Sequence, residues 1–164
     1  MRRMKKNNVR YLVQGATIAA IYVVLTLMAN MFGLANYAVQ VRFSEALTVL
    51  PAYMPSAIPG LAIGCLISNL LTGAMALDIV FGSIATLIGA VFTYTFRHDK
   101  WFAPIPPIVS NTLIIPFILA FVYKFEGSVW YFMLTVGLGE IISCGILGYI
   151  LMSVIKRLPR KLLR

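Results

Sequence analysis

Residues 40–78 read QVRFSEALTVLPAYMPSAIPGLAIGCLISNLLTGAMALD. Three ionisable residues, Arg42, Glu45 and Asp78, bracket an uncharged run from Ala46 to Leu77. Pro51, Pro55, Pro59 and Gly60 break that run in the middle, and Asn69 stands in its second half. A charged side chain at membrane depth costs roughly 2.5–3.5 kcal/mol on insertion scales, so such residues need partners or a role. The stretch reads as an apolar hairpin with a broken turn, carrying a polar site at one end of a membrane bundle.

The rest of the chain supports a membrane setting. Of 164 residues, 60% are hydrophobic and 12% charged, against about 45–50% apolar and 25% charged in soluble domains. We expect one domain over residues 1–164, an all-α integral membrane protein whose backbone groups are satisfied inside helices. The net charge of +9 is concentrated in few places. Residues 1–10 hold Arg2, Arg3, Lys5, Lys6 and Arg10; residues 156–164 hold Lys156, Arg157, Arg160, Lys161 and Arg164; Arg97 and Lys100 lie between. These bases flank apolar runs, which fits positive-inside topology better than nucleic-acid binding. The basic start resembles a signal peptide, but the uncharged run Tyr11–Val41 is too long for one and predicts a retained helix.

The first helix is expected from Tyr11 to Met31 or Leu34. Gly15 with Ala19, and Ala16 with Ala20, put small residues four apart on one face, where a second helix can come close. A loop follows from Gly33 to Arg42, with 39–41 as a short extended piece. Glu45 opens a short helix to Pro51–Tyr53, Pro55–Gly60 turns the chain, and another short helix carries Gly60 and Gly64 to Leu71. Longer helices are expected over 77–96, 104–123 and 129–155. Reading 45–72 as a hairpin gives six membrane segments, with segments two and three short and both termini cytoplasmic. All three basic clusters then lie inside, whereas a single helix puts two of them outside. Arg42, Glu45 and Asp78 then gather at the outer face.

Each candidate residue has a bland and a functional reading. Arg42 and Glu45 are three apart, the spacing of an ion pair, or of a donor fork and an acceptor gripping a polar ligand. Asp78 suits the positive end of a helix, yet no nearby base neutralises it, which leaves it available to a cationic group. Asn69 offers an interhelical hydrogen bond or a ligand contact. Glu140, between LTVGLG and IISCGILG, must face a polar cavity or a partner. Phe43 and Phe81 suit stacking on a flat ligand, as do Tyr53, Trp130 and Tyr131; an interfacial belt explains Trp130 and Tyr131 equally well. His98 reads as solvated. Cys65 and Cys144 give no disulfide framework and no metal spacing, and read as small packing residues. No nucleophile–base pair or phosphate-binding glycine loop appears, so the chain itself should not hydrolyse ATP.

VRFSEALTVLP at 41–51, IPGLAIGCLISNL at 58–70 and ALDIVFGSIATLIGA at 76–90 together resemble the QueT family of queuosine-precursor transporters. That resemblance implies the substrate-binding S component of an energy-coupling factor (ECF) transporter, a multi-pass protein of the prokaryotic plasma membrane. It implies six helices, no cofactor or metal, and a shared partner module of one transmembrane T component and two ATPases. The solute would be a 7-deazaguanine, such as the aminomethyl or cyano precursor (preQ1 or preQ0) or queuine. Glu45 or Glu140 would take its N–H edge, Arg42 or Asn69 its carbonyl, Asp78 an aminomethyl cation, and Phe43 or Phe81 its ring. Gly15, Ala16, Ala19 and Ala20 match the small first-helix face that meets the T component. The alternatives are an S component for another vitamin, a stand-alone proton-coupled carrier using Glu140 or Asp78, or a membrane assembly protein without a ligand.

Overall fold

The computed structural model describes residues 2–34, 41–124 and 126–157, with side chains described from residue 8. Every regular element among them is helical. The extended piece expected at 39–41 lies outside the described residues except for Val41, as do Asn36, Tyr37, Gln40, Arg160, Lys161 and Arg164.

Helix α1 runs Arg2–Met31. It begins earlier than expected because its basic leader, RRMKK, consists of good helix formers with no breaker. Its apolar part, Asn8–Met31, is long enough to cross a membrane. Helices α3 (Ala76–Thr95) and α4 (Ile105–Phe121) follow the expected boundaries closely. The last apolar run, Val129–Ile155, is one continuous rod. It is built of α5 (Val129–Glu140), a π-helical stretch (Ile141–Leu147) and α6 (Gly148–Ile155). Four helical runs are thus long and apolar enough to span a bilayer.

The opening stretch forms something shorter and more interior than two plain helices. Phe43–Ala52 is a ten-residue 3-10 helix in which Ser44, Glu45 and Leu47 to Ala52 are all buried. It lies inside the bundle, touching α1, α3, α6, the π stretch and the helix that follows it. It runs past Pro51 and ends at Ala52, capped by Tyr53, and the chain turns into α2 (Ala57–Leu71). Pro59 is tolerated in the first turn of α2 because an N–H there has no intrahelical acceptor. At 15 residues α2 is shorter than the four long runs.

The two small-residue faces meet each other. A Cβ at Gly60 would stand 2.6 Å from the Gly15 carbonyl oxygen, and one at Gly64 would stand 2.8 Å from Tyr22 Cβ and 3.1 Å from Ala19 Cα. Gly15 and Ala19 are therefore buried against α2, while Ala16 and Ala20 face outward. Close backbone approach of this kind lets dispersion hold helices together in lipid. It also aims Tyr22, completely buried, at the 3-10 helix.

Candidate functional site: a buried polar cluster around the 3-10 helix

Helices α1 to α5 and the π stretch deliver polar side chains to a cluster around the 3-10 helix. Glu45, at its start, is 1% exposed and accepts a hydrogen bond from the Tyr22 hydroxyl of α1 on Oε1. Its Oε2 is buried and receives no hydrogen bond. Arg42 caps the same helix with extended backbone, φ −107° and ψ 114°, so its side chain leaves the helical register. It reaches α2 instead, where Nη1 donates to Asn69 Oδ1 at 3.5 Å. Arg42 Nε is buried without a partner. The ion pair that the Arg42–Glu45 spacing allows is therefore not closed, and each member keeps one open polar atom.

The last rod supplies the other wall. Glu140 closes α5 just where the π stretch begins. Such widened turns, with i→i+5 bonds, recur at functional sites. Glu140 Oε1 accepts from Asn111 Nδ2 of α4 at 2.9 Å, and Oε2 accepts from Cys144 Sγ at 3.0 Å. Ser143 Oγ accepts from the Arg42 backbone N–H at 3.1 Å, and Thr48 Oγ1 donates to Cys144 Sγ at 3.4 Å. These bonds pin the 3-10 helix to the π stretch.

Asp78, buried in the first turn of α3, accepts from the Tyr123 hydroxyl on Oδ2 at 2.8 Å. A Cβ at Gly82 would lie 3.1 Å from Asn69 Nδ2 and 3.4 Å from Asp78 Oδ1, so these two side chains flank the same bare glycine. Arg42 is within electrostatic reach of both Asp78 and Glu45. Burying ions this way costs several kcal/mol each unless partners or a ligand compensate, so the arrangement is a polar centre held inside an apolar bundle.

Of the residues expected from sequence, Arg42, Glu45, Asn69, Asp78 and Glu140 converge. Phe43 begins the 3-10 helix and is half-buried beside Arg42. Phe81 is 46% exposed on α3 and is not drawn into the buried set. Tyr22, Asn111, Tyr123 and Cys144 complete the cluster without having been singled out for it. Asn111 carried a legible signal, a lone amide in the apolar run IPPIVSNTLIIPF, by the same logic that picked Asn69.

Both cysteines are more than filler. Cys65 Sγ accepts from Thr86 at 3.4 Å and faces the Asn69 amide at 3.7 Å. Glu45, Glu140 and Cys144 bring their ligating atoms within 4.8 Å of one another, a set that could hold a metal ion and that chain spacing alone did not display. Here Tyr22, Asn111 and the thiol itself supply hydrogen bonds to it.

A family model described as QueT transporter matches residues 12–157. The queuosine precursor transporter QueT of Lactococcus lactis subsp. cremoris (strain MG1363) is 31% identical over 100 residues, covering 58% of this chain and 59% of that protein. The aligned part thus spans less than two thirds of that relative. No solved structure matches the chain.

Proposed function

The chain belongs to the QueT transporter family, and from that premise we propose that it is the substrate-binding S component of an ECF transporter that captures a 7-deazaguanine queuosine precursor. With four long apolar helical runs it is a multi-pass membrane protein. In our reading the short hairpin completes six segments, both ends are cytoplasmic, and the membrane is the prokaryotic plasma membrane. The cluster opens toward the outer face. A T component and two separate ATPases drive uptake, and the outward-facing Ala16 and Ala20 receive the T component.

The observation that carries this reading is the pair of open polar atoms, the acceptor Glu45 Oε2 and the donor Arg42 Nε, buried in one cluster. A guanine-type edge offers N–H donors beside a carbonyl and can satisfy both. Asn69, already held by Arg42, is the second group able to read that edge. The relative in Lactococcus lactis bears the name queuosine precursor transporter, which supports the same class of solute.

Thermal-shift screening of the detergent-purified protein against several deazapurines and unrelated vitamins tests the proposal. A ligand that binds only the folded form adds about 2.7 kcal/mol at a hundred times its dissociation constant. Stabilisation by a vitamin such as riboflavin or thiamin, and by no deazapurine, would overturn the assignment. The closeness of Glu45 and Glu140 favours one rival, a proton-coupled carrier working alone. Co-purification separates the two, since an S component brings down the T component and ATPases, whereas a carrier transports by itself in response to a pH gradient.

A further inference from the structure

We propose that the end of the bundle carrying Lys100 and Lys156 holds a site for the phosphate of an anionic phospholipid. The two ammonium groups pair with the phosphate, the Trp101 indole N–H donates to it, and the acyl chains lie along the exposed aliphatic face of the last rod.

The site lies where α6 meets the short 3-10 turn Lys100–Phe102 that joins α3 to α4. Lys100, Trp101, Tyr149, Met152, Ser153 and Lys156 line a cavity of about 110 Å3 there. Drug-sized ligands occupy about 300–1,000 Å3, so this space takes one compact group such as a phosphate. Aromatic rings hold both ammonium groups in place. Lys100 Nζ stands 4.2 Å from the Tyr53 ring centroid, and Lys156 Nζ stands 5.7 Å from that of Trp101. The Tyr149 ring packs on Trp101 with centroids 5.6 Å apart, and its hydroxyl donates to the Trp101 carbonyl at 2.7 Å. The turn and the last rod are thus fastened to each other, and the cavity walls with them.

The charged donors around that cavity are unspent. Among the described residues neither lysine is paired with a carboxylate, and the Trp101 indole N–H has no acceptor. A cation–π contact leaves an ammonium its N–H donors, so both lysines can still bind an anion. The hydroxyls are already used, Tyr149 on Trp101 and Ser153 on the Tyr149 carbonyl at 2.9 Å. The neighbouring acid, Asp99, has Oδ1 engaged by the Trp101 backbone N–H at 3.2 Å. Arg97 turns back onto its own helix, donating to the Tyr94 carbonyl and lying 4.2 Å from that ring centroid. Basic pockets between membrane helices suit lipid headgroups, and Trp and Tyr at the rim set this one at headgroup depth. Ile146, Ile150 and Val154 are exposed on the same rod. They give acyl chains a surface that a free phosphate would not use, which selects a lipid as the source of the anion.

The test reads Trp101 directly. The chain has two tryptophans, so Trp130→Phe leaves Trp101 as the single indole. The purified full chain is placed in phosphatidylcholine vesicles containing increasing amounts of phosphatidylglycerol brominated in its acyl chains, and quenching of Trp101 fluorescence reports occupancy. Salt is held at about 0.15 M, where loosely held surface charge is screened within about 8 Å. Phosphatidylglycerol should bind about twentyfold more tightly than equally brominated phosphatidylcholine, and Lys100→Gln and Lys156→Gln should each cost about fivefold, the weight of one basic residue beside an anionic surface. Lys156→Arg keeps the charge and should keep the preference. Lys100, Trp130 and Lys156 are all exposed, so the fold should survive these changes. Equal quenching by the two lipids, or an undiminished preference in the Lys100→Gln/Lys156→Gln double variant, overturns the proposal. Release of the lipid by inorganic phosphate at matched ionic strength also overturns it, since the site would then be one for the free anion.

Discussion

Removing one oxygen atom from the core should measure how the cluster is held. Tyr22 is fully buried on α1, and its hydroxyl is the donor to Glu45, whose other oxygen has none. Tyr22→Phe keeps the ring packing and strands the whole carboxylate. Neutral interhelical hydrogen bonds in membranes average about 0.6 kcal/mol and reach about 1.7. A carboxylate acceptor roughly doubles such a bond, and a buried group left unsatisfied costs about 1–3 kcal/mol. The expected loss is about 2–3 kcal/mol, a fall in Tm of roughly 4–12 °C for a chain of this size. Glu45→Gln supplies the second arm of a double-mutant cycle. Against the neutral amide, Tyr22→Phe should cost only about 1 kcal/mol, giving a coupling of at least about 1 kcal/mol between the two positions. Thermal unfolding in detergent of the wild type, both single variants and the double variant reads all four corners. Equal losses in the two backgrounds would refute the reasoning, because Tyr22 would then act through packing alone.

Three further outcomes follow from other parts of the structure. Gly64→Ala places a methyl 2.8 Å from Tyr22 Cβ; overpacking of about 1–3 kcal/mol should lower Tm and weaken deazaguanine binding together, both readable on one purified sample. Asn111→Ala removes the 2.9 Å donor to Glu140, and ligand affinity measured by calorimetry should fall about tenfold, equivalent to ~1.4 kcal/mol. Ala16→Leu changes an outward-facing residue, so Tm should move by no more than about 0.5 kcal/mol in stability while pull-down of the T component is lost.

Much of the architecture was legible because lipid narrows the choices. Uncharged runs of about 20 residues must be helices there, and α3, α4 and the last rod begin and end where charge, proline and glycine interrupt the pattern. The convergence of Arg42, Glu45, Asn69, Asp78 and Glu140 was legible for the same reason, since polar groups in apolar runs must find one another. Less visible was the 3-10 form of Phe43–Ala52, which tertiary packing from five elements imposes on a segment with no decisive periodicity. Sequence spacing also could not show that Arg42 turns away from Glu45, because that depends on one extended backbone conformation at the cap. The pairing of Gly15 and Ala19 with Gly60 and Gly64 was half legible. Both small faces could be read, but not that they serve each other, leaving Ala16 and Ala20 to look outward. Tyr22 and Cys144 were missed because an aromatic or a thiol in a greasy run is ordinary packing material until its neighbour is known to be an acid.

The buried 3-10 helix has a consequence for biogenesis. Its anchors lie far downstream, with Ser143 101 residues after Arg42 and Cys144 99 after Glu45. At about 5–20 residues per second, a ribosome needs roughly 5–20 s to make that intervening chain. Throughout that interval the arginine and the glutamate of the nascent hairpin have Tyr22 and Asn69 as partners but lack their neighbours on the last rod. A chain released before Glu140 would reach the bilayer with that polar segment walled on one side only, a form that the cell's membrane quality control should clear.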